Sequence, residues 1–200
     1  MASTEQQIKD AARTLFMQQG YAATTTRDIA KASGSNVALI NYYFRSKENL
    51  FAEIMVEQVR TFAHGLASVV NDPSTDLREK FVRMADAYLT MFEQQPDTPL
   101  FVLTELHRGP QEFLHKIDMD GKLKESVLFK QIKQAMQDGT FNEGHPLHVF
   151  MNLLSLLVFP YMAKPLLMGV ADVSERTFTT LMRDRRTLVP IWIDAMFAQR

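Results

Sequence analysis

Apolar residues recur at helical spacing along nearly the whole chain, and no convincing period-two run is bounded by turn residues. That regularity predicts an all-α fold, with glycine, proline and capping residues marking where each helix starts and stops. A first helix is expected over about Glu5 to Gln19, with Ile8, Ala11, Ala12, Leu15 and Phe16 on one face and Gly20 as its stop. "TTTRDIAKASG" opens a second, short helix with Thr25 as N-cap and Asp28 three residues on, a short-armed capping box, and Gly34 ends it. Asn36 caps a third helix through Phe44, whose inward residues are Ile40 and Phe44. Ser46 caps a fourth, long helix from about Lys47 to Val70, which "NDPSTD" breaks. Later punctuation at "QQPDTP", "RGP", "DGTFNEGHP" and "GVADVSE" divides the remainder into roughly five further helices. Three short helices thus precede long, Met- and Phe-rich ones, which predicts two modules, residues 1–50 and 51–200.

Composition narrows the function. With 200 residues, 46% of them hydrophobic, the chain can bury a substantial core. A formal net charge of -1 supplies no global basic field, so any nucleic-acid site must be local. The absence of cysteine excludes disulfides, thiolate metal sites and a Cys nucleophile. "MASTEQQIKDAARTLF" does not read as a signal peptide. The most apolar run, Val149 to Ala163, contains Asn152 and Pro160 and falls short of the roughly 18 to 20 residues a bilayer requires, so it reads as a buried helix. A cytoplasmic protein with no membrane partner is expected. The histidines, including the pairs His145 with His148 and His107 with His115, form no compact ligand set, so neither a metal nor a cofactor is expected. No GxSxG, Gly-rich phosphate loop or HExxH occurs, and the chain does not read as an enzyme.

Within that frame "SGSNVALINYYFRSKENLF", residues 33–51, is unusual in crowding aromatics and cations together. Two short helices joined by a turn at Gly34 make a helix-turn-helix, whose second helix enters the DNA major groove while the first braces the backbone. With Ile40 and Phe44 turned inward, Val37, Ala38, Asn41, Tyr42 and Tyr43 face out or lie along the rim. A phenol hydroxyl can donate to a phosphate oxygen, an ammonium adds charge, and the start of the fourth helix offers free N–H groups to an anion. Tyr42 and Tyr43 could instead be ordinary packing between helices, Lys47 a solvated neighbour of Glu48, and Arg27 a partner of Asp28.

The stretch "TTTRDIAKASGSNVALINYYFRSKENLF" closely resembles the DNA-binding motif of TetR-type transcriptional regulators: a Thr-rich helix start, an Ile-Ala pair, an aromatic run ending in Phe, and a Ser-Lys-Glu-x-Leu exit. The resemblance covers about residues 5–55, with the motif itself near 25–44. It implies an N-terminal three-helix DNA-binding domain followed by a larger helical domain for ligand binding and dimerisation. It further implies that Thr26, Tyr42 and Lys47 contact phosphates, while Arg27, Val37, Ala38 and Asn41 face bases. The family commonly carries an aromatic at Asn41, a glycine near Ala38 and a polar or basic residue at Val37, so a typical member's sequence preference does not transfer. By chemistry alone, Asn41 suits adenine N6 and N7, Arg27 guanine O6 and N7, and Val37 or Ala38 a thymine methyl.

Beyond the motif, Met84, Tyr88, Phe92, Phe101, His107, Phe129, Met136, Met151 and Phe159 could line an adaptable apolar cavity or simply fill a core. The last two long helices hold more apolar surface than one stripe buries, which suggests a dimer face at Met182, Leu188, Trp192 and Met196, with Arg183, Asp184 and Arg185 at its rim. The resulting expectation is a homodimeric, ligand-responsive repressor that binds a palindromic operator in double-stranded DNA and is released by a small apolar or amphipathic effector. An all-α ligand-binding or interaction protein that does not read DNA is the alternative, and an all-α enzyme with scattered catalytic residues is a third reading.

Overall fold

The computed structural model describes residues 3–119, 121–141 and 144–197. Among them the chain forms α1 (Thr4–Ala23), α2 (Thr26–Ser33), α3 (Val37–Phe44), α4 (Lys47–Asn71), α5 (Leu77–Gln94), α6 (Thr98–Arg108), α7 (Pro110–Lys116), α8 (Val127–Gln137), α9 (Pro146–Met162), α10 (Lys164–Ala171) and α11 (Glu175–Phe197), with a short 3-10 turn at Lys122–Glu125. Two compact units result, Met1–Arg60 and Thr61–Arg200. α4 contributes its first part to one and its remainder to the other.

In the first unit the local signals act where the sequence puts them. Gly20 takes φ 80°, ψ 164° and interrupts α1, after which one further turn runs to Ala23. Thr25 and Asp28 form the capping box: the Thr25 hydroxyl accepts from the Asp28 N–H at 3.2 Å, and Asp28 Oδ2 accepts from the Thr25 N–H at 3.0 Å. The Thr25 hydroxyl, which donates to Asp28 Oδ2 at 2.6 Å, and then the Thr25 N–H hold the Asp28 carboxyl below the usual carboxylate range. Gly34 closes α2 at φ 66°, and the following Ser35 N–H donates to the Ala30 carbonyl at 2.9 Å. Only a residue without Cβ adopts that left-handed conformation freely. Asn36 Oδ1 caps α3 by accepting from the Leu39 N–H at 2.9 Å. Ile8, Ala12, Ile29, Ala30, Ile40, Phe44, Leu50 and Ile54 are buried together, so each of the four helices contributes to one small core.

The second unit is built on α5, α8, α9 and α11, whose buried Phe81, Met84, Leu89, Leu128, Leu153 and Val189 share a core. α5 and α11 run antiparallel, since Arg78 pairs with Asp194 near one end while Arg186 holds Glu93 at 2.9 Å near the other. Lys80 is fully buried, and its ammonium donates to the Thr75 hydroxyl at 2.6 Å, the Thr75 carbonyl at 2.8 Å and the Asp72 carbonyl. Three acceptors for three N–H donors let the α4–α5 turn carry a buried cation, while desolvation pushes its pKa down.

Two expectations change here. α5 to α11 are seven α-helices where roughly five were expected. The additional breaks come at Asp118, which adopts φ 57° before Gly121 at φ 62°, and at Ala163, where α9 stops and Pro165 falls in the first turn of α10. A proline there lacks only an N–H that a helix start leaves unpaired. Nor is the Val149–Ala163 run buried all round. Val149, Leu153, Leu157, Pro160 and Tyr161 face the core, while Met151 and Phe159 are exposed, because the helical period carries them to the other side. Among the described residues no single helix is long and apolar enough to cross a membrane.

Candidate nucleic-acid interface

α3 presents its polar and aromatic residues away from the first unit's core. Ala38, Asn41, Tyr42 and Tyr43 are all exposed, Tyr42 at 79% and Tyr43 at 38%, and the two tyrosine rings meet edge to face at 5.2 Å. Packing therefore accounts for part of Tyr43 and almost none of Tyr42. Val37 differs from expectation: at the first turn of α3 it is half-buried against Leu50's core, leaving less of it free for a thymine methyl. Thr26 is half-buried at the start of α2, and Arg27 beside it is exposed.

Charge is arranged to leave cations free on this side. Asp28 is turned into the capping box instead of pairing with Arg27. Arg27, Lys31 and Arg45 are exposed, and among the described residues none makes a side-chain hydrogen bond or ion pair, Lys31 meeting Asp28 only through longer-range attraction. Lys9 and Arg13, by contrast, are spent on Glu57 at 2.8 and 3.1 Å. Three unpaired cations thus flank α2 and α3 in a chain whose overall charge is -1. α3 joins α4 through a tight turn in which Arg45 has φ 66°, ψ -42° and the Ser46 N–H donates to the Phe44 carbonyl at 2.8 Å. That is a strained γ-turn geometry for a residue with a side chain, and it fixes the end of α3 relative to the start of α4.

Lys47 is not the free cation the sequence suggests. Its ammonium donates to the Tyr21 carbonyl at 3.0 Å and the Thr24 carbonyl at 2.9 Å, and sits 4.1 Å from the Tyr21 ring centroid. The Tyr21 hydroxyl donates in turn to Glu48 Oε1 at 2.9 Å. Desolvation, aided by that acceptor, pushes the Tyr21 phenol up to about 12. Two successive residues of α4 therefore grip the α1–α2 turn from which Thr25, Thr26 and Arg27 emerge. Sequence reasoning missed this grip, because the partners are backbone carbonyls more than twenty positions away and leave no motif.

Four capped, tightly joined helices with an exposed α3 flanked by free cations form a module that suits the major groove of DNA. A model of the family described as "Bacterial regulatory proteins, tetR family" matches residues 8–54, the span from α1 to the start of α4. The chain is a TetR-family transcriptional regulator. The Bacillus subtilis (strain 168) protein described as "Probable HTH-type transcriptional regulator YttP" is 28% identical over 162 residues, 80% of this chain and 78% of its own. The Escherichia coli (strain K12) "Probable acrEF/envCD operon repressor" is 34% identical over 143 residues, 67% of this chain and 62% of that one. In three dimensions the chain resembles FadR from Bacillus subtilis in complex with stearoyl-CoA, at a TM-score of 0.52 and 17% identity over 96% of this chain and 97% of that one, which is a likeness of fold.

In this TetR-family chain the second unit brings together only some of the residues expected to line a cavity. Met84 and Tyr88 line a cavity of about 120 Å³ with Ala63, His64, Asp118 and Phe150. Burial pushes the Tyr88 phenol up to about 12. His64 Nε2 lies 3.0 Å from Asp118 Oδ2 among its lining residues. Phe92 lines a separate cavity. Phe129 is buried without lining either cavity, and Met136 packs against the unit's core. Phe101 pairs with Phe113 at 6.2 Å, and His107 is exposed with Nδ1 2.8 Å from the Leu103 carbonyl, so neither lines either cavity. Met151 and Phe159 are exposed. Among the described residues no group of three or more His, Asp or Glu could hold a metal.

The dimer-face candidates also sort differently. Met182 is buried in the unit's own core, and Trp192 and Met196 pack against that core; of the four only Leu188, 40% exposed, is free. The exposed apolar residues of α11 are instead Leu181, Leu188 and Ile191, seven and three positions apart, and those of α9 are Leu147, Met151 and Phe159. Both sets follow one helical stripe.

If Asn41 reads a base, Asn41→Ala is expected to weaken binding to the preferred site by about 1 to 3 kcal/mol while leaving random DNA nearly unaffected. Competitive titration with both DNAs checks this, and an equal loss on both would reassign Asn41 to a backbone or folding role.

Proposed function

We propose that the protein is a homodimeric, ligand-responsive repressor that reads a palindromic operator through α3. The observation that carries the DNA reading is the exposure of Ala38, Asn41 and Tyr42 on a helix held by caps at both ends and flanked by the unpaired Arg27, Lys31 and Arg45. Asn41, Ala38 and Arg27 contact base edges, with the exposed edge of Val37. Thr26, Tyr42 and Tyr43 take phosphates, joined by Arg45 and Lys31. Lys47 serves as the grip on the α1–α2 turn and so acts on DNA through the placement of Thr26 and Arg27. Repression as the sign of regulation is supported by the Escherichia coli relative, itself described as a repressor.

The second copy docks on the stripes of α9 and α11. Exposed apolar area of that size on two helices in contact favours association, and two helices from each copy make a four-helix arrangement. Ile191, 60% exposed, is the most open of the α11 residues. Ile191→Glu is expected to give a monomer in sedimentation at micromolar concentration and to weaken operator binding by well over tenfold, since two half-sites no longer bind as one. An unchanged dimer would move the interface elsewhere.

The effector is an apolar or amphipathic molecule entering the cavity beside Tyr88. Stearoyl-CoA, the molecule bound to the Bacillus subtilis FadR, belongs to that chemical class. A volume of about 120 Å³ equals roughly four waters of liquid and lies below the usual drug-sized site. A larger ligand must therefore select a state in which α4, α5 and α9 are spread. α4 starts at Lys47 and lends its later turns to the cavity wall, so such spreading shifts the recognition helices and lowers operator affinity. Coupling of about 1 to 3 kcal/mol is expected, and DNA must weaken the effector by the same factor. Titration of each thermal-shift hit with and without operator measures this; identical affinities would leave the second unit a dimerisation module only.

A further inference from the structure

The second unit holds another cavity, chemically unlike the one beside Tyr88 and larger, at about 220 Å³. Its wall is aromatic: Phe92 and Tyr161 meet at 4.9 Å between ring centroids, and Phe178 from α11 completes it. Its rim carries Glu93, Lys164, Glu175 and Arg183. A site that combines aromatic walls with charges of both signs selects amphipathic ions, and the pairing of those charges decides which sign.

Both acids at the rim are already neutralised. Glu93 is held by Arg186 at 2.9 and 3.1 Å, and Glu175 by Lys164, whose ammonium also lies 5.4 Å from the Phe178 ring centroid. Arg183 is exposed and, among the described residues, makes no side-chain hydrogen bond or ion pair. A cationic ligand would have to displace Arg186 or Lys164, whereas an anion meets a free guanidinium, the group best suited to a carboxylate. Asp184, next on α11, does not line the cavity. A second observation points the same way. Tyr161 is nine-tenths buried, and its hydroxyl has no hydrogen-bond partner. Buried hydroxyls are nearly always paired, and an unpaired one beside a cavity calls for an explanation such as a bound water or ion. Desolvation, with Glu93 nearby, raises the Tyr161 phenol, so it stays protonated and can donate.

We propose that this cavity is a binding site for a small carboxylate bearing one or two aromatic rings, with the ring system against Phe92, Tyr161 and Phe178 and the carboxylate on Arg183. The volume, roughly seven waters of liquid, sets that size limit. The site stands apart from the cavity beside Tyr88 and does not depend on the DNA reading.

Calorimetric titration of the full chain with 2-naphthoate tests it, with neutral 2-naphthamide as the matched control. The acid is expected to bind once per chain and the amide more weakly by on the order of tenfold, the loss of one charge-assisted pair. Arg183→Gln, at an exposed position that leaves folding intact, is expected to weaken the acid by a similar factor and leave the amide unchanged. Ala67→Phe, which fills the other cavity, is expected to change neither. Equal binding of acid and amide, indifference of the acid to Arg183→Gln, loss of binding in Ala67→Phe, or no heat with the acid at millimolar concentration would each overturn the proposal.

Discussion

Phe44→Ala is expected to unfold the first unit in most molecules and to abolish operator binding while leaving the second unit folded. Phe44 is 2% exposed at the end of α3 and shares a core of only eight buried residues. Removing a buried phenylalanine side chain costs about 3 to 5 kcal/mol, because the lost burial is joined by the cavity left behind. A unit of 60 residues has only about 3 to 9 kcal/mol in total at typical values per residue. The substitution therefore removes most of that margin. Trp192, the single tryptophan, lies in the second unit, so its fluorescence melt follows that unit alone, while helical circular dichroism follows both. The expected result is an early loss of part of the dichroism with an unchanged Trp192 transition. A single shifted transition seen by both probes would mean that the two units unfold as one.

Lys47→Met comes next in size. The substitution removes two charge-assisted hydrogen bonds to the Tyr21 and Thr24 carbonyls and the contact with the Tyr21 ring. For a half-buried group this is worth about 2 to 3 kcal/mol of first-unit stability. Thr26 and Arg27 start where that turn ends, so its loosening is expected to weaken DNA binding by roughly 10- to 100-fold on specific and random sequences alike. A lost phosphate contact would also act uniformly, but it would lower the slope of log affinity against log salt by about 1. The grip predicts a nearly unchanged slope together with a lower melting temperature. A slope reduced by about 1 at unchanged stability would return Lys47 to the role its place in the motif suggests.

What the sequence made legible follows from how local each signal is. Gly20, the Thr25–Asp28 box, Gly34 and Asn36 act within four residues of themselves, and the structure uses each of them as caps or stops. Ile40 and Phe44 were distinguishable from Asn41 and Tyr42 because residues one helical turn apart share a face while the residues between them are rotated off it. Signals failed where the deciding partner is distant. A lysine bound to carbonyls on another segment looks the same in sequence as a solvated one, which is why Lys47 was opaque. Met84 and Phe129 are both buried on apolar helix faces, yet only Met84 lines the cavity; periodicity encodes the face and not the gap. The breaks at Asp118 and Ala163 are punctuated only from a short distance, by Gly121 and by Pro165, and a lone glycine or proline inside an apolar period does not by itself mark a stop.

Selection of binding sites from fragmented genomic DNA by the purified full-length protein tests the operator reading most directly. If two copies present α3 to one face of the duplex, the enriched fragments will share an inverted repeat with half-site centres about 34 to 36 Å apart, or a multiple of one helical turn. Their affinity will exceed that of random DNA by about 1,000-fold or more at physiological salt, and Asn41→Ala will narrow that margin by about 1 to 3 kcal/mol. Enrichment of no common sequence, with fragments bound no more tightly than random DNA, would contradict it.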